Sequence, residues 1–128
     1  MTPGYLCEVP GVAELVGRGV YTSVPDHIPI VQGQHAVVVA KPHVAAAVAL
    51  RLSGCGCDVT VVMRETAHGA RVPDALRHRS HIRMRYRTEL SWAVGIEHLE
   101  AVVLRHITTG RIEACNTAAL FVLSSTGL

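Results

Sequence analysis

The clearest pattern in the chain lies between residues 35 and 64. "HAVVVA" (35–40) and "DVTVVMR" (58–64) are short, nearly continuous apolar runs, and "PHVAAAVALRLSG" (42–54) separates them. Runs of that kind mark strands buried on both faces. The intervening segment predicts a helix: Pro42 suits a first helical turn, Ala and Leu favour the helix, and Gly54 ends it. "PDALRHR" (73–79), with Pro73 at its start, predicts a second, short helix. "HIRMRYRTEL" (81–90) alternates polar and apolar residues, as a strand with one wetter face does. "SWAVGIEH", "LEAVVLRHIT" and "RIEACN" then predict an antiparallel meander, with a hairpin turn in "TTGR" (108–111). "AALFVLSS" (118–125) is a last buried strand. Residues 1–34 are rich in Pro and Gly and read mostly as loop with one or two short extended pieces. The sum is an α/β fold: a Rossmann-like parallel sheet with helices and an antiparallel three-stranded β-meander. The 128 residues suit one domain with its own core, preceded by a loop-rich, hinge-like segment.

Composition narrows the class. Apolar residues make up 49% of the chain but aromatic ones only 4%, so the core must be aliphatic. The formal net charge of +2 and the scattered arginines give no nucleic-acid footprint. Even the densest basic run, "RHRSHIRMRYR" (77–87), alternates with apolar residues as a strand face does. Lys41 and Pro42 interrupt the longest apolar stretch, so no membrane span is expected. The start, "MTPGYLCEVPG", has no leader pattern, which points to a cytoplasmic protein with Cys7, Cys55, Cys57 and Cys115 reduced. "GCGC" (54–57) reads as a tight turn between helix and strand. It lacks the wider spacing and the second ligand pair of a zinc site, so no metal is expected.

The order of these motifs resembles the NAD(P)H-binding domain of the thioredoxin reductase family of flavoproteins. "VPGVAELVGRGV" (9–20) is similar to the hinge leading into that domain. "DVTVVMR" is similar to the strand that ends at its phosphate-reading arginines, and residues 95–127 to its meander and closing strand. The resemblance implies a truncated domain of that type, standing without the two flavin-domain halves that flank it in the family.

The departures fall on functional positions. The family's G-x-G-x-x-G/A fingerprint falls on Ala40, Pro42 and Ala45. Pro42 has no N–H to offer a pyrophosphate, and its ring takes the space. The redox C-x-x-C would follow the hinge, where "YTSVPD" (21–26) has no cysteine, although Asp26 matches the acidic residue after it. Of the paired arginines that read a 2′-phosphate, Arg64 matches the first and Glu65 replaces the second. The expectation is therefore no FAD, no NADPH and no self-sufficient reductase activity.

In open α/β sheets the ligand crevice lies beyond the carboxyl ends of the strands. The chain order places Lys41, His43, Arg64, Glu65, His68, Ser124, Ser125 and Thr126 there, with Asp26 and His27 approaching from the hinge. Asp26, His43 and Glu65 are the candidate acid–base residues. His27, Lys41, Arg64, Ser124 and Ser125 are the candidate ligand contacts. His35, His98 and His106 read as structural. The leading expectation is a non-redox small-molecule enzyme of the cyclase or isomerase type, acting on an apolar ligand. The alternatives are a weak NAD(P)H-binding accessory module of a separate flavoprotein, or a non-catalytic interaction protein. Because a face that meets the flavin domain in the family would be left apolar, a homo-oligomer is expected.

Overall fold

Val, Ala and Leu are the commonest strand residues, and the side chains the strands bury divide the molecule into layers. The computed structural model describes residues 9–24, 33–66, 69, 76 and 79–123. In chain order the elements are a 3₁₀ turn (Ala13–Leu15), β1 (Val20–Tyr21), β2 (His35–Val39), α1 (Pro42–Gly54), β3 (Asp58–Val62), β4 (Ile82–Arg85), β5 (Thr88–Gly95), β6 (Leu99–His106), β7 (Ile112–Asn116) and β8 (Ala119–Val122). Five strands form a sheet in the order β1-β8-β2-β3-β4, with every neighbouring pair parallel. β5, β6 and β7 form the antiparallel meander.

The continuous apolar runs are explained by burial on both faces of the parallel sheet. Val38, Val59, Val61 and Phe121 pack with Ala45, Ala49 and Leu52 of α1. Val37, Val39, Val62, Leu120 and Val122 pack with Leu90, Ala93, Val102 and Leu104 of the meander. Helix, parallel sheet and meander are thus stacked, and the parallel sheet, helix and three-stranded meander are the elements expected from the motif order. The "GCGC" segment is a turn: Gly56 adopts φ 82°, and the Cys57 N–H returns to the Leu52 carbonyl at 3.3 Å. No helix among the described residues is long and apolar enough to cross a membrane. The short helix expected over 73–79 falls largely outside the described residues; Leu76, which is described, is fully buried beneath the helix side of the sheet.

One expectation needs correction. "HIRMRYRTEL" is two strands in two different sheets. β4 ends at Arg85, Arg87 takes the left-handed φ of 51°, and β5 begins at Thr88. The chain changes layers here, with the Arg87 N–H on the Glu65 carbonyl (3.1 Å) and the Thr88 N–H on that of Met63 (3.0 Å). Ile82 and Met84 point into one layer, Thr88 and Leu90 into the other. All are even-numbered positions, so the alternation runs through the break without a change of phase.

Candidate functional site

β2 and β3 are neighbours, so their carboxyl ends deliver residues 40–43 and 63–66 side by side. Lys41 is the N-cap of α1, in extended conformation (φ −65°, ψ 153°) and without a side-chain capping hydrogen bond. Pro42 takes the first helical position, and the first helical hydrogen bond runs from the Ala45 N–H to the Lys41 carbonyl at 2.8 Å. The turn has therefore given up one of the donors that a helix start offers an anion.

Charged side chains at this edge pair with one another. Lys41 Nζ lies 3.8 Å from Glu65 Oε2, joining the two turns. Arg64 Nη1 donates to Glu89 Oε1 at 3.0 Å, and Arg105 Nη1 donates to Glu89 Oε2 at 3.2 Å. Arg87 Nη1 reaches the Arg64 carbonyl at 3.3 Å. The ion-paired side chains are 29–59% exposed, so solvent screens each pair and it adds only about 0–1 kcal/mol of stability. Their effect is to fix which charges an incoming ligand meets.

The structure thus brings Lys41, Arg64 and Glu65 to one edge and places His43, exposed, in the first turn of α1. Asp26, His27, His68, Ser124, Ser125 and Thr126 lie outside the described residues. Sequence reading missed Glu89, Arg87 and Arg105. They arrive from the meander through the layer change at Arg87, which leaves no mark in the pattern.

Neither of two cavities lined by described residues involves Lys41, His43, Arg64 or Glu65. One of about 480 Å³ lies at the β4–β7 seam, against Arg85, Thr88, His106, Arg111 and Glu113. There Arg85 grips Glu113 through two hydrogen bonds of 3.0 and 3.3 Å, which hold the Glu113 carboxyl below its ordinary pKa. The other, of about 570 Å³, is at the amino ends of the strands, against His35, His98, Glu100, Asn116 and Thr117.

At that second cavity His35 bridges two layers. Its Nε2 is 2.8 Å from Thr60 Oγ1, and the Cys115 thiol lies 3.8 Å from Nδ1. Burial pushes the imidazole pKa down and the Cys115 thiol pKa up, so both are neutral near pH 7. This matches the structural role expected of His35. It also gives stability a pH dependence. The unfolded chain takes up a proton on this imidazole near pH 6.5, while the folded chain resists it. Stability is therefore full above that value and declines as the pH falls towards the lower folded value. Thermal melts between pH 8 and 5 should show this decline, with a shallower slope in His35→Gln. Equal slopes would remove His35 as the cause.

No family model matches the sequence, and no curated protein matches it at a significant level. Solved structures do. The thioredoxin reductase of Streptococcus pyogenes MGAS5005 superposes with a TM-score of 0.77 at 22% identity, over 90% of this chain. The chain shares its fold with thioredoxin reductases. Those of Lactococcus lactis (TM-score 0.78, 18% identity, 92% of this chain) and Gloeobacter violaceus (0.79, 23%, 94%) match it similarly. The matches cover 39%, 40% and 38% of those proteins, so the chain spans about two-fifths of a thioredoxin reductase. The thioredoxin reductase-like fold expected from the motif order is the fold found. At these identities the likeness carries the fold and nothing of the activity.

Proposed function

We propose that this chain is a non-catalytic accessory module on a thioredoxin reductase-like fold, with the former dinucleotide crevice closed by its own charges. The observation that carries this reading is the Lys41–Glu65 pair set across the proline turn. A phosphate entering there meets a ring in place of an N–H, and the Glu65 carboxylate repels it. Arg64, matched by the resemblance to a 2′-phosphate reader, is engaged with Glu89. In this reading the module uses neither FAD nor NADPH and serves a separate protein. Calorimetric titration with NADPH is the test. No saturable binding tighter than the millimolar range is expected, and a micromolar dissociation constant would overturn the proposal in favour of an NAD(P)H-binding accessory module.

One feature favours a second reading, a non-redox cyclase or isomerase. The Lys41–Glu65 contact is long at 3.8 Å, and the Lys41 side chain is 59% exposed, so the carboxylate is loosely held at the edge where α1, with the exposed His43 in its first turn, begins. Glu65, His43 and Asp26 would then move protons, while Lys41 and Arg64 steady a developing oxyanion. His27, Ser124 and Ser125 would complete the ligand contacts. That reading requires an apolar small molecule whose binding depends on Glu65 and His43.

A further inference from the structure

The turn "ITTGR" (107–111) closes the β6–β7 hairpin and holds one side chain in a set state. The Gly110 N–H returns to the His106 carbonyl at 2.8 Å, and the His106 N–H donates to the Arg111 carbonyl at 2.8 Å. The Thr109 N–H donates to His106 Nδ1 at 3.2 Å, and the Arg111 N–H to Thr109 Oγ1 at 3.2 Å. Nδ1 therefore supplies a lone pair, and the ring proton sits on Nε2 as a donor. The ladder sets Thr88 opposite His106 and Glu113 opposite Leu104.

His106 and Arg111 both line the cavity of about 480 Å³ at the β4–β7 seam. That volume falls within the range of small-ligand sites, about 300–1,000 Å³. Charge in the cavity is unbalanced. Arg85 and Glu113 are committed to each other through two hydrogen bonds. The other cation of the lining, Arg111, makes no ion pair or side-chain hydrogen bond with a described residue. The Arg85 hydrogen bonds, with the charges of Arg111 and Arg83 behind them, hold the Glu113 carboxyl below its ordinary pKa, so the seam carries a positive field. Thr88 adds no donor, because its hydroxyl is spent on the Tyr86 carbonyl at 2.8 Å. The apolar part of the lining is Leu104, which is buried, and Ile112, which is 57% exposed.

We propose that this cavity binds a small monocarboxylate with an apolar body. Arg111 offers the carboxylate a two-pronged guanidinium, and His106 Nε2 offers a further donor. Ile112 and Leu104 cover the apolar body, which removes exposed hydrocarbon from water. One uncommitted cation matches one negative charge. A phosphate dianion would leave its second charge without a partner, beside the Glu113 carboxylate. The inference goes beyond the proposed function and uses a different part of the molecule, since no residue of the Lys41–Glu65 edge lines this cavity.

Titration of the isotope-labelled full chain, followed by amide chemical shifts, tests it with phenylacetate, hexanoate, phenylacetamide and inorganic phosphate. Both carboxylates should bind saturably, phenylacetate with a dissociation constant of roughly 1 mM for its size. The largest shifts should fall on the amides of Thr109, Gly110, Arg111 and Ile112. Phenylacetamide, which lacks the charge, and phosphate should both bind at least about tenfold more weakly than phenylacetate. Arg111→Ala should lose about tenfold or more in affinity while keeping the wild-type circular dichroism, because its side chain is exposed. Ile112→Ser should weaken phenylacetate severalfold. Arg18→Ala is the control: this exposed arginine lies at the other end of β6, where its carbonyl accepts the Leu99 N–H, and its loss should change nothing. Failure of both carboxylates to saturate would overturn the inference. So would equal binding of phenylacetamide, tighter binding of phosphate, an unchanged affinity in Arg111→Ala, or the same loss in Arg18→Ala.

Discussion

Phe121→Ala is expected to lower the unfolding free energy by about 3–5 kcal/mol, the largest loss for any single truncation in this core. Phe121 is the chain's only phenylalanine and is fully buried in β8, between β1 and β2. Its ring stacks on Tyr21 with centroids 5.3 Å apart. The surrounding helix face is built of Ala45, Ala46 and Ala49, whose methyl groups cannot extend into a vacated space. The cavity would therefore persist, and the cavity cost adds to the lost transfer energy. Urea unfolding should show a lower midpoint at unchanged slope, and the melting temperature should fall by roughly 15 °C. Phe121→Leu should cost much less, since most of the volume is kept. A loss below about 1 kcal/mol for the alanine variant would mean that the ring is not the packing anchor described.

The second large effect is expected at Gly11. This residue has φ 89°, a region open to glycine and strained for other residues. A β-carbon there would also overlap the Ala93 carbonyl. The overlap matters because the Pro10 carbonyl accepts the Ala93 N–H at 2.9 Å, which ties the segment before the 3₁₀ turn to β5. Gly11→Ala must move that segment, and Val9 and Val12, buried against the meander, move with it. The backbone strain alone costs about 1–3 kcal/mol, and displaced packing brings the total to roughly 3 kcal/mol or more. Gly17 is the internal control. Its φ is 82°, yet a β-carbon there meets nothing within 4 Å, so Gly17→Ala carries the conformational cost only, about 1–2 kcal/mol. Denaturant unfolding of the two variants should rank them in that order. Equal losses would show that the contact with Ala93 contributes nothing.

Much of the fold could be read before the structure because burial on both faces writes itself as uninterrupted apolar runs. β2, β3 and β8 follow that rule, and α1 starts where Pro42 placed it. The meander strands were legible from their turns. The change of layer at Arg87 was not, since Ile82 and Met84 before it and Thr88 and Leu90 after it are all even-numbered and the alternation runs straight through the turn. That hidden step also explains why the candidate edge was only partly legible. Lys41, Arg64 and Glu65 follow from strand order, but Glu89, which binds Arg64, and Arg105, which binds Glu89, come from the meander through a turn the pattern does not show.

The central claim is that the thioredoxin reductase-like crevice is closed to a dinucleotide by Pro42 and by the Glu65 carboxylate held over Lys41. It is tested most directly by titrating NADPH, in one calorimeter, into the wild type and into Ala40→Gly/Pro42→Gly/Glu65→Arg. The triple variant restores the backbone donor, the space and the second arginine. The account predicts no saturable heat from the wild type and at least tenfold tighter, saturable binding by the variant. Micromolar binding by the wild type, or a variant no better than it, would contradict the account.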